Sequence, residues 1–160
     1  MQTHQVSNQP QFYDQDYYLW LKKTQEQLAT GNFSALDVAN LIEELADMGK
    51  SEKRAVESNL TILIMHLLKY QYQPQKHSNS WLFTIREHRR RLEKLFKDSP
   101  SLKRYFNEVL NECYQDAREL AAAETGLPLE MFPPQIPFTT EEILNPAFLP
   151  STNNGNDSNI

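Results

Sequence analysis

The sequence predicts an all-α protein, an up-and-down bundle of four or five long helices with an extended, proline-rich C-terminal strap. Three observations predict it. Apolar residues recur at helical spacing along most of the chain and nowhere alternate as they do in a strand. Glycines number only four, and four of the nine prolines crowd between Pro128 and Pro137, so long stretches run without a breaker. The stretch Leu60–Leu68 is apolar on every side except at Thr61 and His66, and a helix of that kind must be surrounded by others. Its uncharged run, residues 58–68, is too short to span a bilayer and suits a buried hub.

Each element has its own signals. Residues 1–12 are polar and glutamine-rich and read as disordered. Asp14 then caps a helix running to about Ala29, with Tyr17, Leu21 and Leu28 as its buried stripe, Trp20 beside it and Gly31 at its end. Ser34 or Leu36–Asp37 opens the next helix, where Val38, Leu41, Ile42, Leu45 and Met48 keep a clean 3.6-residue period. Gly49 offers a stop, yet the phase carries on through Val56, Leu60, Leu63 and Leu67, which favours one continuous helix. Pro74 ends it.

Asn79 or Ser80 caps a helix over Trp81–Lys97, with Leu82, Ile85, Leu92 and Leu95 as its core stripe and Trp81 and Phe96 on its flanks. Ser99–Pro100 restarts the chain as N-cap and first helical residue, and the helix reaches Glu124 through Leu102, Phe106, Val109, Cys113, Ala117 and Leu120. Gly126 stands where a left-handed stop is expected. The segment LPLEMFPPQIPF then reads as an apolar strap over the bundle, and Thr139-x-x-Glu142 starts one short helix. Residues 151–160 read as a disordered tail, which leaves 13–150 as a single domain.

Composition excludes several function classes. A net charge of −5 argues against a general nucleic-acid binder, which needs cationic surface for phosphates. One cysteine, Cys113, excludes an internal disulfide framework and a cysteine-built zinc site, and its place on an apolar stripe points to an inert core thiol. The opening residues MQTHQVSNQP carry neither the basic start nor the apolar core of a secretory signal. A cytoplasmic location with no membrane partner is expected.

Few residues present chemistry. Asn59, His66, Lys69 and Gln73 fall along one polar seam of the hub helix. His66 suits a general base or a metal ligand if Glu43, Glu44 or Lys69 join it, but neither an HExxH nor a Glu-x-x-His pairing is present, and a hydrogen-bonded histidine at the core edge is the plainer reading. Glu43 and Glu44 are more simply read as partners of an arginine on another helix than as catalytic groups. The run REHRRRLEKLFK, residues 86–97, holds six Lys and Arg against two Glu, whereas 108–142 holds eight acidic residues against Arg118. Arg86, Arg89, Arg90, Arg91 and Lys94 are the candidates for binding an anion or a partner, set against the plainer reading of a solvated face balanced by acidic helices. Trp81 with Tyr70, Tyr72 and Lys69 offers a base-stacking platform or, more simply, interhelix packing. No glycine-rich nucleotide loop exists, and no cofactor or metal is assigned.

The blocks DYYLWL, LDVANLIEELADMGKSEKR, HLLKYQYQP, SWLFTIREHRRR and SPSL…YQDARELAAAETGLP…FP, in that order, resemble the DUF29 family. The likeness covers about Tyr13 to Pro150. It implies a small all-helical protein of bacterial, frequently cyanobacterial, type and carries no activity, substrate or catalytic residue to transfer. His66, Lys69, Gln73, Pro74, Ser80, Trp81 and Arg86 lie in its most recognisable blocks, a signature without an attached role. The favoured expectation is a non-enzymatic helical module that binds another protein, a second copy of itself included. The alternatives are an enzyme or metal protein built on His66 with Glu43 or Glu44, and a phosphate or nucleic-acid binder using the Arg86–Lys97 face.

Overall fold

A computed structural model describes residues 12–153. Nearly all of the two expected disordered ends, 1–12 and 151–160, lies outside the described residues. The described chain is an all-α bundle: α1 (Phe12–Gln15), α2 (Tyr17–Ala29), α3 (Val38–Tyr72), α4 (Asn79–Asp98), α5 (Leu102–Thr125) and α6 (Thr140–Leu144), with no strand among the described residues. Its contacts divide it into two compact units, Met1–Gly49 and Lys50–Ile160, where the sequence offers one domain over 13–150.

In the first unit the opening helix is broken where the sequence suggests it is continuous. Asp16 rather than Asp14 is the cap, accepting the backbone N–H of Leu19 at 3.0 Å, because a side-chain oxygen there satisfies a donor that the first turn leaves orphaned. The packing face of α2 also differs from the expected stripe. Trp20 and Thr24 are its buried residues, while Tyr17, Leu21 and Leu28 are exposed. Trp20 takes the anchor position because its ring packs on Tyr13 and Tyr17 and its indole N–H donates to Asp37 at 3.2 Å. Gly31, at φ 72°, lets the chain turn out of the helix. Asp37 then caps α3 by accepting the N–H of Asn40 at 3.3 Å. Hydrogen bonds from Asn40 and from the Trp20 indole outweigh burial and hold the Asp37 carboxyl below the ordinary carboxylate range.

α3 runs without interruption through Gly49, which settles in favour of continuity a point where the sequence offers both a break and one long helix. In the second unit its Val56, Leu60, Leu63, Ile64, Leu67 and Leu68 are wholly buried, which makes Leu60–Leu68 the hub that its composition demands. Around it stand α4 and α5. Ser78, one residue before the predicted caps, accepts the N–H of Trp81 at 3.3 Å and so starts α4 earlier. The buried row of α4 is Ile85, Arg89, Leu92 and Phe96, whereas Leu82 is exposed and Leu95 half-buried. α5 buries Phe106, Cys113, Tyr114, Ala117 and Ala121, with Leu120 left outside, and ends at Gly126, φ 72°.

The strap closes this unit as its apolar residues predict. Phe132, Phe138 and Ile143 are buried in the same core as the hub. Its backbone runs without a ladder partner for most of its length, so side chains supply the donors that the carbonyls need. Tyr114 donates to the Pro133 carbonyl at 2.5 Å, Gln115 to Pro134 at 3.0 Å, and Arg118 to Phe132 and Leu129 at 3.1 and 3.2 Å. Thr139 and Glu142 form the reciprocal capping box of α6 that their spacing announces.

Candidate functional site

The residues singled out by sequence fall into separate environments. On the hub helix, His66 is half-buried and its Nδ1–H meets the Ile62 carbonyl, one turn back, at 3.0 Å. Burial, more than any neighbour, pushes its imidazole below the ordinary range. Asn59, on the same seam, accepts from Nδ1 of His88 at 2.7 Å, a histidine that no sequence motif singles out. Burial lowers the His88 pKa as well. Lys69 is buried, its ammonium 2.5 Å from Glu124 and 4.7 Å over the ring centroid of Trp81. Gln73 reaches the Thr125 carbonyl at 3.4 Å. The polar seam thus meets acceptors on α5 and a ring of α4. Trp81 is half-buried and its ring also meets His77 edge-on at 6.2 Å between centroids.

Glu44 belongs to the first unit, where the hydroxyls of Tyr13 and Tyr17 both donate to it at 2.7 Å. Those bonds to a carboxylate push the Tyr13 phenol up to about 12 and raise that of Tyr17. Glu43 is exposed. The structure therefore gives His66 and Glu44 different partners. No three His, Cys, Asp or Glu side chains are grouped to hold a metal ion among the described residues.

The five basic candidates on α4 divide sharply. Arg89 is buried and donates to three backbone carbonyls, Ile143 at 2.8 Å, Phe148 at 2.8 Å and Glu142 at 3.2 Å. Burial lowers its guanidinium to about 10, which leaves it charged at neutral pH. It fastens the strap. Arg90 and Arg91 converge on Glu87, whose carboxyl they hold down to about 2, and Lys94 pairs with Asp98 at 2.6 Å. Arg86 is exposed and lines an open groove of about 430 Å³ between α4 and the strap, walled by Leu82, Phe83, Pro146 and Leu149. Cys113 is buried, and burial pushes its thiol up, away from nucleophilic use.

The first unit also carries the apolar stripe that the sequence marks at helical period. Val38, Ile42, Leu45 and Met48 are 53, 60, 61 and 63% exposed, so the amphipathic face of early α3 is open. What α2 engages is the neighbouring row, Asp37 and Glu44, with Leu41 half-buried beside them. Hydrophobic period identifies an apolar face but not what covers it. No helix among the described residues is long and apolar enough to cross a membrane.

No curated protein and no solved structure matches the chain. The model of a family described as a domain of unknown function, DUF29, matches residues 12–149, from the first described helix to the end of the strap. The chain belongs to the DUF29 family.

Proposed function

We propose that the chain is a helical protein–protein interaction module with no catalysis of its own. The observation that carries this reading is the row Val38, Ile42, Leu45 and Met48, four large apolar side chains each more than half exposed on one helix face. Scattered exposed apolar residues are ordinary, whereas a contiguous row of them marks a surface that another protein covers. The engagement of His66, Glu44 and Lys69 by structural partners supports the same reading, as does the pairing of Arg90, Arg91 and Lys94 with acidic neighbours. The test compares the full chain with the Ile42→Lys/Leu45→Lys double variant as bait in a native lysate. The variant should keep its helical circular dichroism and lose a discrete bound species. Identical recoveries from both baits overturn the reading.

The groove at Arg86 favours a second reading, an anion-bearing apolar ligand held by the guanidinium and by Leu82 and Phe83. A medium-chain fatty acid titrated against the full chain and Arg86→Ala checks it: binding that falls at least about tenfold in the variant is expected, since a charge-assisted hydrogen bond contributes about that much. Equal binding, or none, removes it.

A further inference from the structure

The exposed row of early α3 has a spacing narrower than that of a general apolar face. Val38, Ile42, Leu45 and Gly49 follow one another at intervals of four, three and four residues, the a/d rhythm of a two-helix seam. Ala39 and Ala46 flank it on one side, Leu41 and Met48 on the other, so the positions that would border a facing helix are small or apolar too. Gly49 is the odd member. It stands within a 35-residue helix, where glycine is a poor helix former, and a Cβ built on it meets nothing within 4 Å among the described residues. Neither backbone conformation nor packing among the described residues calls for glycine there. A close approach from outside would use the missing side chain.

Resting on the interaction-module reading, we propose that this row is the seam of an antiparallel contact with the same row of a second copy of the chain. Antiparallel pairing about a twofold axis between Glu43 and Glu44 sets Val38 against Gly49 of the other copy and Ile42 against its Leu45. Large then faces small at both ends of the seam and two branched residues meet at its centre, which keeps the helix separation even. Parallel pairing would oppose Gly49 to Gly49 and leave a void there, while Val38 met Val38 at the other end. Charge points the same way. Residues 37–47 hold four carboxylates and no cation, and residues 50–54 hold three cations and Glu52. A parallel pair places each of these beside its own copy, whereas the antiparallel pair keeps Glu43 beside Glu44 across the axis but brings the Lys50–Arg54 end of one copy to the Asp37 end of the other.

The experiment is light scattering and sedimentation of the full chain from low to high micromolar concentration, with Leu45→Lys beside it and redox exchange of single-cysteine variants. A dimer is expected, and Leu45→Lys, whose exposed side chain leaves the fold intact by circular dichroism, should weaken it at least about a hundredfold because one buried leucine is lost from each copy. Mixed Ile42→Cys and Leu45→Cys chains should give the crossed disulfide in preference to either like pair. A dimer indifferent to Leu45→Lys, or one giving only like–like disulfides, overturns the proposal. So does a monomer at every concentration. In that last case the interaction-module reading stands if the Ile42→Lys/Leu45→Lys bait still loses a discrete partner, and falls if it does not.

Discussion

Arg89 shows how a single side chain can be misjudged from its neighbours. Amid Arg86, Arg90, Arg91 and Lys94 it looks like one more charge of a basic face, but it lies in register with Ile85, Leu92 and Phe96 and turns inward. Its acceptors are carbonyls more than fifty residues ahead in the chain, and no local pattern announces them. Arg89→Ala should lower stability by about 3 kcal/mol in urea unfolding, since one buried and two half-buried carbonyls lose a charged donor. Arg89→Lys should restore only part, because one ammonium lacks the planar fork that spans three acceptors. His66 and His88 make a pH prediction of definite sign. Both are held below the ordinary imidazole value of 6.5, so the unfolded chain takes up protons before the folded one does. Stability is complete above that value and declines as pH falls through it. His66→Gln, measured by denaturation between neutral and mildly acidic pH, should flatten part of that decline.

At the scale of the element, two glycines in helical surroundings should respond oppositely to the same change. Gly126 ends α5 with φ 72°, a region that L side chains adopt only with strain, so Gly126→Ala should cost about 1 kcal/mol despite open space around its Cβ. Gly49 has ordinary helical backbone and equally open surroundings, so Gly49→Ala should raise stability by up to about 1 kcal/mol, read by chemical denaturation at the lowest workable concentration. Helix extents were largely legible in the sequence because caps and breakers are local: Pro74, Gly126, and Thr139 with Glu142 act within one turn. Faces were legible only for helices surrounded on all sides. The Leu60–Leu68 stretch admits one placement, whereas α2 turned Trp20 inward and Leu21 outward because the indole N–H had Asp37 to reach. The open row on α3 was visible as periodicity. Its exposure was not, since period carries no information about partners.

Across the molecule, the strap is what completes the second core. Phe132 is wholly buried and meets Tyr72 edge-on at 5.2 Å between ring centroids, so Phe132→Ala should cost about 3 to 4 kcal/mol in equilibrium unfolding through the cavity it leaves. All-α character followed from the helical period of the apolar residues, and the covering segment from the prolines and apolar residues gathered after Gly126. The fasteners did not. Tyr114, Gln115 and Arg118 hold residues 129–134 through backbone carbonyls, a bond type to which any sequence offers the acceptor, so residue identity gives no sign of it. That arrangement bears on synthesis. The greasy surfaces of α3, α4 and α5 precede Phe132, Phe138 and Ile143 in the chain, so a chain cut short before the strap carries them bare. A chain ending at residue 126 should therefore recruit chaperone and aggregate on synthesis, whereas one extended to residue 150 should do neither.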